Sequence, residues 1–509
     1  MTLEELVGQK LVLGIEGSRV TPEAVDLFRK THAGGLIIFR RNCERAEALR
    51  SLIADLEQAL GRRLVVMIDH EGGRVIHIGD GVSIFPDARA AGESSRPEWV
   101  KRQGEIEGEE LRRLGMDVNL APVLDILVEA WNPAIGNRSY GKDPQVVAKM
   151  GQARIEGMQS RGLSACAKHW PGLGEARFDP HRDLPSIQKS WKAMKQTDLV
   201  PFAKAIEGKV DCVMSSYPLY PELDNDSLPA TFSRRIIHDY LRLEFGFDGV
   251  ILTDDLKMGA ISKTVSFREV APLAAKAGHD LLLVCSDPKA QLESFESLVW
   301  AYKKKELKTS ELEESVERIR LLKEKRPKRF AEGPPIPHKE GKELAHSIAR
   351  AGANILNNGL GLLPLSPEWC LGHSVLAIFP NLEPLSRHFF IEPELLEMKN
   401  FIKSGFQRFG ISLGVEAISL DPGLEESAKI KKLSQEQDLV IFFCGDAHLF
   451  PGTREFLKAI QESSQRLAVV LLREPQDAEW VLPGVGCITS YGFRSCQIET
   501  AIEKLFSPT

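Results

Sequence analysis

Eight short apolar runs, each followed by a longer stretch of helical periodicity, leave few folds open to this chain. They are LVLGIEG (11–17), GGLIIF (34–39), RLVVMID (63–69), VNLAPVLD (118–125), SACAKHW (164–170), DCVMSSY (211–217), GVILTDD (249–255) and DLLLVCS (280–286). A strand that is apolar on both faces is buried on both. Helices lying between such strands supply the crossovers that a parallel sheet requires. Eight βα units are the count of a TIM-like (β/α)₈ barrel, so the fold expected for residues 1–325 is that barrel. Most of the runs end in polar groups: Asp69, Asp125, Lys168 with His169, Ser215 with Ser216, Asp254 with Asp255, and Ser286. In a barrel these ends converge on one mouth, where the βα loops build the site.

The pattern breaks at RPKRFAEGPPIPHKEGKE (326–343), whose prolines and basic residues read as a semi-rigid linker. Beyond it, ELAHSIARAGANIL reads as an amphipathic helix and NNGLGLLPL as a turn leading into a short extended piece. Further apolar runs follow at 374–380, 411–419, 438–446, 466–474 and 487–492. Five strands with helical crossovers predict a smaller α/β sandwich domain over 344–509.

The 509 residues are 43% hydrophobic and 27% charged with a net charge of −6, which gives no electrostatic reason to expect nucleic acid or a membrane surface as partner. No run approaches the ~18 consecutive apolar residues of a membrane span. The N-terminus has acidic residues where a signal peptide needs basic ones. The eight cysteines show neither CxxC nor metal-ligand spacing and fall largely inside apolar runs, so free thiols and a cytoplasmic location are expected. Nothing calls for a metal, an organic cofactor or an obligatory protein partner.

Two adjacent carboxylates, Asp254 and Asp255, end the seventh run. Neighbours on a strand face opposite ways, so one is expected to look into the mouth and the other to cap the following helix. The run FGFDGVILTDDLKMGA (245–260), preceded by LRLE, resembles the nucleophile signature of glycoside hydrolase family 3. KHWPGLGEARFDPHRDLP (168–185) resembles the KHFPGHG…DSH loop of that family's β-N-acetylglucosaminidase (β-N-acetylhexosaminidase) branch. IDHEGGRV (68–75), NLAPVLDI (119–126), NPAIGNRSYG (132–141) and VMSSYPLYPELD (213–224) match in family order.

The resemblance implies a retaining exo-hydrolase that releases terminal β-linked N-acetylglucosamine, in the family's bacterial role from peptidoglycan fragments. Asp254 would be the nucleophile. His181, oriented by Asp179, would be the acid/base, a role for which a free imidazole at ~6.5 already has a suitable pKa. Asp69, Arg138, Lys168 and His169 would bind sugar hydroxyls. The chain departs from the pattern at His77, where the family has Arg, at Ser216 and Leu173, where it has His, and at Pro180, where it has Ser. These departures bear on sugar recognition, with His77 taken as the substituted binding residue. A β-glucosidase-type or phosphorolytic enzyme and a non-catalytic sugar-binding homologue are the rival readings.

Overall fold

The computed structural model describes residues 1–128, 132–176, 184–225, 228–257, 266–325, 328–332 and 336–507. The chain divides into two compact units.

Among the described residues of the first unit, eight parallel strands close into a barrel in chain order. They are β1 (Leu11–Gly14), β2 (Gly35–Ile38), β3 (Val65–Ile68), β4 (Val118–Asn119), β5 (Ser164–Trp170), β6 (Cys212–Ser215), β7 (Val250–Asp255) and β8 (Leu281–Val284). Each falls within one of the eight apolar runs. Alternation along the strands explains why the runs are apolar throughout. Val12, Ile37, Met67, Val118, Cys166, Met214, Leu252 and Leu283 fill the barrel interior. Their neighbours Leu11, Leu13, Leu36, Ile38, Val66 and Ile68 pack outward under the helices. Helix Thr309–Glu324 adds Ile319 and Leu322 to the interior layer. The register of β5 on β6 shifts between Lys168 and Trp170, and the Lys168–His169 peptide is cis. All eight cysteines are free, and Cys166, Cys212 and Cys285 are interior side chains.

His279, just before β8, is fully buried, with Nδ1 donating to Ala274 O (3.0 Å) and Nε2 2.9 Å from Ser215 Oγ. Burial pushes its imidazole down from 6.5 to about 4. The unfolded chain therefore takes up this proton near pH 6.5 while the fold refuses it until about 4. The stability it contributes is complete above pH 6.5 and lost as pH falls through that window, by roughly 3 kcal/mol at ~1.4 kcal/mol per unit. Urea unfolding of His279→Gln at stepped pH should show a correspondingly shallower acid slope than the wild type.

The second unit is a six-stranded sheet, among the described residues, in the order β11-β10-β12-β13-β14-β9. Its strands are β9 (Asn354–Asn357), β10 (Val375–Pro380), β11 (Gly414–Ile418), β12 (Leu439–Cys444), β13 (Leu467–Leu471) and β14 (Gly486–Thr489). All pairings are parallel except β9 on β14, so the sheet is mixed. One apolar layer contains Ala377, Ile441 and Val470, and the other Ile378, Val440 and Val469. The strand β9 corrects the expectation of a helix through ANIL: the helix His338–Gly352 stops before it, and β9 pairs on one side only. Its residues are half-buried to exposed, so it carries no continuous apolar run. The same helix begins within the stretch read as a linker.

Two pieces of the N-terminal sequence, Gly72–Val75 and Ile84–Ser95, belong to the second unit. Packing there is close: a Cβ on Gly352 would lie 2.4 Å from Ala90 O, on helix Ala88–Ser94. No helix among the described residues is long and apolar enough to cross a membrane.

Candidate active site

Strands β3, β5 and β7 deliver Asp69, Lys168 with His169, and Asp254 to their C-terminal ends, the face where barrel loops assemble sites. The Lys168 ammonium lies 2.6 Å from Asp69 Oδ1 and 2.6 Å from Glu71 Oε1. Glu71 in turn receives Arg138 through two bonds, Nε to Oε2 at 2.8 Å and Nη2 to Oε1 at 2.7 Å. Arg138 ends the short helical turn Gly136–Arg138 and also donates to Ala134 O (2.8 Å). The four groups form one alternating network in which each charge faces an opposite one.

Burial decides the electrostatics of this network. It would raise the Glu71 carboxyl, but the charges of Arg138 and Lys168 outweigh it and hold the group well below the usual carboxylate range. Burial would lower Lys168, yet Asp69 and Glu71 raise its ammonium above its ordinary value. Glu71 and Lys168 side chains are 6% and 2% exposed, whereas Asp69 is 23% exposed and Arg138 15%. Asp69 and Arg138 are the more exposed ends of the network, and Lys168 and Glu71 lie buried between them.

Asp254 stands at the C-terminal end of β7, on the same face of the barrel. The Tyr217 hydroxyl donates to the main-chain oxygens of both Asp254 (3.0 Å) and Asp255 (2.9 Å), bracing the strand end. Asp254 Oδ1 accepts from Asp255 N (2.7 Å). The Asp255 carboxylate is committed to backbone, accepting from Cys285 N (3.1 Å) and Lys257 N (3.2 Å). Whether it caps a helix lies outside the described residues.

His169 is bound to a different carboxylate. Its Nδ1 lies 2.6 Å from Asp125 Oδ2, and the same oxygen accepts His169 N (3.2 Å) while Oδ1 accepts Leu173 N (2.6 Å). A carboxylate at Nδ1 fixes the proton there and leaves Nε2 as the free end of the ring. Asn132 Nδ2 donates to Leu173 O (2.8 Å) and Gly174 O (3.2 Å), and the Tyr220 hydroxyl donates to Gly172 O. At Gly174 a Cβ would fall 1.6 Å from Ile126 O, so no other residue fits. The first half of the loop is thus tightly built, while Asp179 and His181 lie outside the described residues.

The departures have local explanations. Leu173 is buried among Val123, Leu127, Ala134, Ile135 and Ala176, an apolar niche. Ser216 Oγ donates to Trp170 O (2.9 Å) and secures the end of β5. His77 packs edge-on to Phe39 (5.4 Å), and burial lowers its imidazole despite the charges of Asp69 and Glu71, which favours the neutral ring where the family pattern has a permanent cation. Arg41 lies over the same Phe39 ring (4.7 Å). Sequence reasoning does not assign Glu71, Asp125 or Tyr217 to the site.

A parallel barrel that gathers carboxylates and cations into one mouth has the architecture of an enzyme for a small polar substrate. The chain belongs to glycosyl hydrolase family 3: residues 2–322 match that family's N-terminal domain. It is similar to the β-hexosaminidase of Hydrogenovibrio crunogenus, 33% identical over 309 residues that make up 58% of this chain and 86% of the relative. Among solved structures it resembles a family 3 β-N-acetylglucosaminidase from Paenibacillus sp. FPU-7, at 30% identity and a TM-score of 0.92 over 99% of this chain and 97% of the other. A fungal multi-domain family 3 β-N-acetylglucosaminidase superposes with a TM-score of 0.90 at 28% identity, covering 100% of this chain and 60% of that one.

Proposed function

We propose that this chain hydrolyses terminal β-linked N-acetylglucosaminides with retention, and that its natural substrates are peptidoglycan fragments in the cytoplasm. The observation that carries the reading is the Asp69–Lys168–Glu71–Arg138 network on the barrel face where β7 ends in Asp254 and Asp255. Relatives named β-hexosaminidase and β-N-acetylglucosaminidase support the sugar. The free cysteines suit a reducing compartment.

In the first step an Asp254 oxygen bonds to the anomeric carbon as the glycosidic C–O bond breaks, and His181 gives its proton to the departing oxygen. In the second, His181 takes a proton from water as the water oxygen displaces Asp254, restoring both residues. Asp179 orients the imidazole and stabilises its cation. Asp69 accepts hydroxyl protons of the sugar, while Arg138, Lys168 and His169 donate to or orient against its oxygens. Sites built on such bonds strongly reject analogues that lack the hydroxyls.

Proton NMR of the sugar released from nitrophenyl β-N-acetylglucosaminide, in the first minutes before mutarotation, tests the chemistry. The β-anomer should appear first, as free sugar even in phosphate buffer, and first appearance of the α-anomer or of a sugar phosphate would overturn the reading. His181→Ala should lose about 10²–10⁴-fold on poor leaving groups and far less on dinitrophenyl, since protonation matters less there. An equal loss on both would remove the acid role.

A further inference from the structure

The chain leaves the barrel unit directly after Glu71 and returns at Ile76. The intervening Gly72–Val75 belongs to the second unit. Arg494, fully buried, donates Nε to Gly73 O (2.7 Å). Gly73 N donates to Phe85 O (2.9 Å), and Arg74 N to Asp87 Oδ1 (3.4 Å). Gly73 has φ +50, and a Cβ there would lie 2.3 Å from Asp87 Cγ, so a side chain would push the strap off its seat. Arg494 is itself anchored, with Nη1 donating to Phe390 O (2.8 Å) and Glu392 Oε2 (3.0 Å). Glu392 is 2% exposed, and its other oxygen accepts Ser495 N (3.0 Å) and Ser495 Oγ (2.9 Å).

A guanidinium removed from water needs several acceptors to be tolerable. Here one of them is a main-chain carbonyl two residues from the carboxylate that pairs with both Lys168 and Arg138. Two residues span at most about 7 Å of chain, which leaves little slack between Gly73 and Glu71. Displacement of a site group by ~1 Å can lower turnover ~10²-fold.

We propose that Arg494 is a positioning residue for the sugar site: by holding Gly73 it fixes the strap that sets Glu71, and so ties the second unit to turnover. The inference rests on the reading of that site given above, and it assigns the second unit a role in the reaction itself. Contacts to the sugar tighten in the transition state, so kcat bears the loss more than KM.

The test uses the full-length chain. Arg494→Met removes the donors and keeps the length, and Arg494→Lys restores one donor. Leu457→Ala, in the apolar layer that includes Val440 and Val469, destabilises the second unit without touching the strap. Assays run well below each variant's Tm. Arg494→Met should lose about 100-fold in kcat with KM within a few-fold, Arg494→Lys should be intermediate, and Leu457→Ala should keep wild-type kcat. Hydrogen exchange in peptides covering 68–77 should rise in the Arg494 variants alone. If Arg494→Met does not fold, Arg494→Lys carries the test with the same signs. Unchanged kcat and exchange in the Arg494 variants, or an equal kcat loss in Leu457→Ala, would overturn the proposal. Should the wild type cleave another β-glycoside and not the N-acetylglucosaminide, the substrate reading fails, while the same comparison on that glycoside and the exchange measurement still decide the role of Arg494.

Discussion

Asp254→Asn is expected to reduce kcat on nitrophenyl β-N-acetylglucosaminide by at least ~10³-fold, about 4 kcal/mol of barrier at ~1.36 kcal/mol per decade. The amide cannot form the covalent bond to the anomeric carbon, so both steps of the double displacement lose their shared atom. The variant keeps an acceptor for Asp255 N, and Tyr217 braces main-chain oxygens that the substitution leaves in place. Its Tm should therefore stay near that of the wild type, which separates a chemical loss from a folding one. Steady-state turnover close to wild type would remove Asp254 from the mechanism.

Lys168→Met is expected to damage both stability and turnover. The lysine is 2% exposed between two carboxylates, and removing one partner of a buried ion pair typically costs about 3–5 kcal/mol because the other charge is stranded. kcat/KM should fall ~10²-fold or more as Asp69 loses its fixed position. Adding Asp69→Asn removes the stranded charge, so the double variant should recover part of the stability and none of the activity. The pH dependence has a definite sign. Glu71 is held below its ordinary 4.5, so its contribution is present above pH 4.5 and is lost as pH falls towards its folded value. With Lys168 gone and only Arg138 opposing burial, the folded value moves up towards 4.5, so that loss should be smaller and be complete at a higher pH. Acid unfolding of the three proteins reads this directly, and coincident curves would show that Lys168 and Glu71 are not coupled.

The barrel could be read from the sequence because both faces of every strand are buried, so hydrophobicity is uninterrupted where the strands lie. The edge strand β9 lacks that signal, since it pairs on one side and leaves its side chains partly in water. Asp69 and Lys168 could be chosen because polar groups at the ends of apolar runs stand out, whereas Arg138 needed the motif NPAIGNRSYG around it. Asp125 stood out equally, but its task, holding His169 and the turn to Leu173, depends on a partner 44 residues away and leaves no local mark. Arg494 was less visible still: it precedes an ordinary helix, and its carbonyl partner is 421 residues distant. The glycine pair in EGGRV is visible as a motif, yet its reason, a positive φ and the nearness of Asp87, appears only in three dimensions.

The assignment of Gly72–Val75 and Ile84–Ser95 to the second unit bears on how such proteins can be recombined. A crossover placed in the proline-rich stretch after residue 325 would give a chimera whose donor half arrives without two of its own pieces, left behind in the recipient's barrel. The inheritable module is discontinuous in the gene. Shuffling among relatives should therefore succeed when 72–75, 84–95 and 339–509 travel together, and yield poorly matched hybrids when only the last is exchanged.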